Sequence, residues 1–383
     1  MPGRNRHESA QFDDTGQTTS IWASRTKRVQ DRASAAVESS ESRRQTDRQR
    51  EAPEMTPSVT PRTTVGLRVG DLVEVRSADE IAATLDARGE LDNLPFMPEM
   101  LRFCGRRLTV HKVAHKLCDT IDGSGIHRME NAVHLTDSRC DGSAHGGCQT
   151  ACSLYWKEAW LKRIERDHPP SGSPTSTDLP LLEPNTRRVP GPDGEPRYRC
   201  QATELMRAAP TCLPTRNMGQ YVTDVRTGNV GAFRSFAALL VGMFNRVQDV
   251  TTRLLPRELW FREGLPWGFV KGQVTAGRTP TEHLDLQPGE LVRIKTKRLI
   301  MATLDKNRLN RGMGFEEEMA RYCGRTARVQ ARVTRCLDEK TGELLIMQNP
   351  CIVLEGIVCA GAYHASCPRE FVPFWREIWL ERV

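Results

Sequence analysis

The sequence predicts a mainly β protein with some α content. Two small SH3-like β-barrels, made by internal duplication, are joined by a helical middle segment. Three observations predict this. Shifted by 219 residues, the segment 67–164 lies on 286–383 without a gap, with about 29 of 98 positions identical. Each copy opens with an alternating run behind a glycine, Gly70 to Val75 and Gly289 to Ile294, the period of a half-buried strand. Between the copies lies a different stretch, dense in apolar residues from Gly231 to Leu255.

Residues 1–64 are rich in Ser, Thr, Arg, Gln and Glu, with Phe12 and Trp22 as their only aromatics. Such a segment buries too little apolar surface to offset its ordering entropy, which predicts a disordered tail. Residues 65–166 form the first unit. A strand at 71–75 is followed by a short helix or turn from Phe96 to Phe103 carrying Met97 and Met100. Further strands fall at Leu108–Val113 and Val133–Leu135. Short strands with Gly-rich turns point to a small barrel. A closing amphipathic helix is expected over Ser153–Ile164, with Trp156 and Trp160 on one face, and over Val372–Val383 in the second copy. Residues 167–197 contain eight prolines and predict an extended linker. Residues 198–280 are the helical middle. Its main helix, Gly231–Leu255, carries Phe233, Phe236, Leu240, Phe244 and Val247 and is expected to be a buried connector. The second unit is 281–383.

The chain has 383 residues, 55 basic and 48 acidic, for a formal charge of +7. The two signs are interspersed, which argues against a dedicated nucleic-acid binder. No apolar run reaches the roughly 18 residues of a membrane span. The first thirty residues lack the apolar core of a secretory signal. Twelve cysteines in such a chain imply a reducing, cytoplasmic setting, where cysteine clusters bind metal or do redox chemistry more often than they form disulfides.

Both copies hold the pattern Cys-x-Gly-x-x-His-x-x-Cys: Cys140, Gly142, His145 and Cys148, and Cys359, Gly361, His364 and Cys367. Most of the sequence between the copies has diverged, and this group has not. A Gly-containing loop can curl and bring thiols and an imidazole to one point, as bonds of about 2.0–2.3 Å to one ion require. Two ways of completing the sites stay open. Cys104 and Cys323 occupy matching positions, giving three cysteines and a histidine per copy, an ordinary structural zinc set. Alternatively, Cys118, Cys140, Cys148 and Cys152 form a four-thiolate set with His145 in or beside it, suited to an iron–sulfur cluster or zinc. The second copy has Phe371 opposite Cys152. Its own set would be Cys336, Cys351, Cys359 and Cys367, with His364 nearby. Cys200 and Cys212 have no close partner in sequence, though Cys200 could reach across as a ligand. Dinucleotide, phosphate-loop, serine-hydrolase and His-Glu-x-x-His motifs are missing.

The run from Cys140 to Gln149, followed by Tyr155 to Leu161, resembles a family of uncharacterised bacterial proteins often encoded beside natural-product or polysaccharide biosynthesis genes. The resemblance covers about Gly70–Arg163 and, in degraded form, the second copy. It implies an accessory role in a biosynthetic pathway, with a small molecule or a pathway protein as partner, and no particular reaction. Three functions are then in competition: a metalloprotein in redox or tailoring chemistry, a binding module stapled by zinc, and a nucleic-acid binder whose affinity would fall steeply with salt.

Overall fold

The structure is a computed structural model that describes residues 66–165, 179–192, 194–265, 267 and 271–383. The expected tail and the first part of the proline-rich linker lie outside these residues.

The first copy runs β1 (Leu72–Val75), α1 (Ala78–Ala82), β2 (Glu90–Leu91), β3 (Leu94–Pro95), a 3-10 turn (Pro98–Phe103), β4 (Arg107–Val113), β5 (Lys116–Cys118), β6 (Ile126–Arg128), β7 (Ala132–Leu135), β8 (Trp156–Lys157) and β9 (Leu161–Arg163). The middle holds β10 (Arg187–Arg188), β11 (Arg197–Tyr198), α2 (Gln201–Ala208), α3 (Met218–Thr227) and α4 (Ala232–Leu254). The second copy runs β12 (Leu291–Ile294), α5 (Lys297–Met301), β13 (Leu309–Asn310), β14 (Met313–Gly314), α6 (Glu317–Ala320), β15 (Thr326–Leu337), β16 (Leu344–Leu354) and β17 (Leu380–Arg382).

Local chemistry explains the beginning of each copy, with a side-chain cap on the first copy's helix only, since Thr296 makes none in the second copy. Ser77 caps α1, accepting from the Glu80 N–H while the Glu80 carboxylate accepts from the Ser77 N–H. The Asp86 carboxylate accepts from the Arg88 and Glu90 N–H groups, and Asp305 does the same for Asn307 and Leu309. Strand register also repeats at the 219-residue offset. Leu72 lies opposite Thr109 and Leu291 opposite Arg328, while Val73 meets Arg163 and Val292 meets Arg382.

The barrels are not there. The first copy makes an open five-stranded sheet in the order β8-β7-β4-β1-β9, and the second an open four-stranded one in the order β16-β15-β12-β17. Several two-stranded ribbons stand outside them. Helix and strand take near-equal shares, so the mainly β expectation is overturned together with the SH3-like one. The physical reason is that β15 and β16 form one long hairpin, paired from Val329–Leu354 to Leu337–Leu344. Its far end reaches the first copy, where the Gln149 N–H donates to the Arg335 carbonyl at 3.1 Å.

The closing helices are not there either. Trp156 lies on a strand and Trp160 ends a 3-10 turn, yet both are fully buried. Phe96 meets both edge-on, with ring centroids 6.2 and 5.2 Å away, and Phe315 repeats this with Trp375 and Trp379. Each such pair adds about 0.5–1.5 kcal/mol beyond area burial. Trp160 Nε1 donates to Thr84 Oγ1 and Trp379 Nε1 to Thr303 Oγ1.

The described part of the linker is packed structure. Leu182 is buried, Arg197 pairs with Glu343, and the Tyr198 N–H donates to the Gly342 carbonyl of the second copy at 2.8 Å. Helix α4 falls where the sequence predicts it, from its N-cap Gly231 to its C-cap Leu255. It is not a buried connector, however. Only Ser235, Ala238 and Gln248 on it are buried, and most of its large apolar side chains face outward.

Candidate metal centre

The loop from Cys140 to Cys152 is closed at its base, where the Cys140 N–H donates to the Cys152 carbonyl at 2.9 Å. Inside it the chain turns on Gly142, whose φ is +73° and whose carbonyl accepts from the His145 and Gly147 N–H groups at 3.1 and 3.0 Å. A Cβ on Gly142 would sit 1.9 Å from the Cys148 carbonyl oxygen. The repeated spacing therefore has a geometric cause: the curl presses Cys148 backbone against a residue that must lack a side chain. Gly361 repeats it, with φ +66° and a Cβ that would lie 2.6 Å from Cys367 backbone atoms.

The curl forms one wall of an internal cavity of about 30 Å³, room for about two waters or an ion. Cys140, Cys148 and Cys152 line it from the loop, and Cys200 lines it from the residue that N-caps α2. Glu99 enters from the 3-10 turn, and Arg369 and Glu339 enter from the second copy. The Cys140 thiol donates to Glu99 Oε1 at 3.3 Å and lies 3.4 Å from His145 Nε2. Glu99, Cys140 and His145 present ligand atoms that all lie within 4.8 Å of one another, a buried group able to hold a metal ion. Three polar atoms on this wall, Glu99 Oε2, His145 Nδ1 and the Tyr155 hydroxyl, are buried without a hydrogen-bond partner among the described residues. A single cation beside Cys140 would answer Glu99 Oε2 and His145 Nδ1, so these residues fit an ion.

Electrostatics point the same way. Burial, then the neighbouring Glu99 carboxylate and the Cys152 and Cys200 sulfurs, push the Cys140 thiol far up. Burial likewise raises Cys152 to about 12 and Cys200 well above the ordinary thiol range. It lowers His145 to about 4, leaving a neutral imidazole, and raises the Glu99 carboxyl. Cys140, Cys152 and Cys200 are thus neutral thiols there, and thiolates at these positions require a cation to compensate them.

Cys118 stands apart from this cavity. Its N–H donates to Cys367 Sγ at 3.1 Å, and a hydrogen bond from its side chain lowers the Cys367 thiol. Reciprocally, the N–H of Leu337, which occupies the matching position in the second copy, donates to Cys148 Sγ at 3.4 Å. Each copy's strand thus crosses to cover the other's cysteine loop. Cys359 is raised well above the ordinary thiol range by burial and then by Glu318, the counterpart of Glu99. The Glu318 carboxylate accepts from the Tyr363 N–H at 3.2 Å. The His364 N–H donates to the Gly361 carbonyl at 2.9 Å, the counterpart of the bond His145 makes. Cys336 is buried near Cys148 and Cys152, beside the first site rather than the second. Cys351 packs toward Met347 at 3.2 Å. Cys104 belongs to the apolar core and neither it nor Cys323 lines the cavity.

Comparison with protein-family models, curated proteins and solved structures finds no match to this chain. The centre therefore rests on its own residues.

Sequence spacing missed Glu99, Tyr155 and Arg369. Glu99 carried a signal: it is an acid inside an otherwise apolar run, and an acid, Glu318, stands at the matching position of the second copy. Among the described residues no helix is long and apolar enough to cross a membrane.

Proposed function

We propose that this chain is a cytoplasmic cysteine-ligated metalloprotein with an accessory redox or tailoring role in small-molecule biosynthesis. Its centre is an iron–sulfur cluster held by Cys140, Cys148, Cys152 and Cys200, whose walls must part to admit it, since the cavity between them has room for about two waters. One observation carries the reading: four thiols from two separate segments line a single internal cavity together with three polar atoms that make no hydrogen bond, of which His145 Nδ1 lies 3.6 Å from Glu99 Oε1. Four ligands about 2.3 Å from one ion lie within roughly 4.6 Å of each other. The four sulfurs do not form such a group, whereas a cluster accepts thiolates at separate iron corners. When bound, a cluster supplies one-electron transfer. Around it the chain's own residues exclude water, hold His145 neutral beside Cys140, and set the buried Arg369 guanidinium near Cys152. A cleft of about 380 Å³ between α4 and residues 358–370, with Cys367 and Tyr363 on its wall, gives a small molecule a place to bind.

A second reading has one observation in its favour. Glu99, Cys140 and His145 converge tightly enough for a single zinc ion, which would make the centre a staple for a binding module.

Anaerobic purification, a visible spectrum and metal analysis separate the two. Brown protein with iron and sulfide near about four each supports the cluster. Colourless protein with zinc supports the staple. Cys148→Ser and Cys200→Ser should both lose metal, while Cys212→Ser, at an exposed position, should keep it. Metal-free wild-type protein, or equal metal in all three variants, would overturn the site.

A further inference from the structure

Helix α4 carries an outward stripe of seven residues: Phe233, Phe236, Leu240, Met243, Val247, Val250 and Leu254. Their spacing is 3, 4, 3, 4, 3 and 4. That is a heptad seam sustained for three repeats, and every member is between 40% and 84% exposed. The opposite face is the one that docks on this chain. Ser235 Oγ donates to the Tyr221 carbonyl of α3 at 3.1 Å, Ala238 is buried, and Gln248 Nε2 donates to the Phe261 carbonyl.

We propose that this seam is the dimerisation surface of the protein, and that its occupant is α4 of a second copy in a parallel two-stranded coiled coil.

The period argues for a helix as partner. A 3.5-residue repeat drifts around a straight helix and stays in register only against a second helix that supercoils with it. Of the apolar residues flanking it, Leu239 and Phe244 are partly covered by the chain itself, so the outward stripe keeps mainly to the two seam positions of a coiled coil. Among the described residues no other helix exceeds ten residues, so an equally long seam must come from another molecule.

Area and charge argue for a second copy. The exposed parts of the seven side chains amount to roughly 700 Å², close to the ~800 Å² each partner contributes to a stable interface. The seam itself holds no charge. Of its flanking positions, one edge carries Leu239, Arg246 and Arg253 and the other Ala237, Phe244 and Thr251. Both arginines already pair with Asp249 of the same helix, at 3.4 and 3.0 Å, and so do not call for an acidic partner. In a parallel pair each edge meets the opposite edge of its mate, so arginine never faces arginine. An antiparallel pair brings like edges together.

The full chain, sized by light scattering and sedimentation at micromolar concentration, should be a dimer. Leu240→Glu and Leu240→Lys should each be monomeric with an unchanged circular dichroism spectrum, because residue 240 faces solvent in the single chain. Mixed, they should recover a heterodimer, since in the parallel register residue 240 faces its own counterpart. A monomeric wild type overturns the proposal, and if that monomer co-sediments with phosphatidylglycerol vesicles the seam is a membrane surface instead. A dimer that either variant leaves intact overturns it too. Failure of the mixture to pair overturns the parallel register.

Discussion

The cysteine loop makes a demanding test of Gly142. Replacing it with alanine places a Cβ 1.9 Å from the Cys148 carbonyl oxygen and 2.6 Å from its nitrogen. Backbone cannot yield that distance without the loop opening. The left-handed φ costs an alanine about 1–2 kcal/mol. Opening forfeits the His145 and Gly147 hydrogen bonds to the Gly142 carbonyl, about 1 kcal/mol each. The whole change comes to about 3–4 kcal/mol, concentrated on the cysteine loop. Gly70 is the control. It has φ +91°, and a Cβ added there would meet nothing within 4 Å, so Gly70→Ala costs the strain alone, about 1–2 kcal/mol. Denaturant unfolding reads the difference, and metal per chain reads the function. Gly142→Ala should lose metal and unfold earlier, while Gly70→Ala keeps its metal. If both variants lose the same stability, or Gly142→Ala retains full metal, then the curl does not hold the site and the reasoning fails.

The buried pair of Lys116 and Asp224, 2.6 Å apart and both inaccessible to solvent, offers another test. Asp224→Ala strands the lysine and should cost about 3–5 kcal/mol in unfolding free energy; a loss under about 1 kcal/mol would show that water reaches the site. Burial lowers His134 and His115 each to about 4. Because the folded value is below the ordinary 6.5, the unfolded chain takes up the protons first. Stability is therefore full above about pH 6.5 and falls toward pH 4, by up to about 3 kcal/mol for each histidine. His134→Asn should flatten that part of the profile, and an unchanged slope would count against it. Gly361→Ala should open the second cysteine loop and unsettle Cys367 without removing metal from the first, as separate metal and unfolding measurements on the same sample can show.

Elements set by local chemistry were legible in the sequence. The strand at 72–75, the 3-10 turn through Met100, the strands at 107–113 and 132–135 and helix α4 lie where periodicity puts them. Elements set by distant contacts were not. Trp156 and Trp160 are four apart, which suits a helix face equally well, and only packing against Phe96 chooses the strand and 3-10 turn. The density of α4 in apolar residues marks a helix but not which way its faces point. For the centre, Cys140, His145, Cys148 and Cys152 were readable because one loop carries them. Spacing placed Cys118 among them, yet the crossing of β5 takes it to Cys367. Cys200 arrives through α2, after a segment whose spacing carries no metal signature.

The crossed strands bear on how such a chain could arise. The Cys148 sulfur receives an N–H from the second copy and the Cys367 sulfur receives one from the first. A lone copy would leave its own sulfur without that donor. An unduplicated ancestor thus fits a symmetric pair of identical subunits, each finishing its neighbour's loop. In one chain the halves need not be alike: Cys152 and Cys200 line the first copy's cavity, whereas the second copy has Phe371 opposite Cys152.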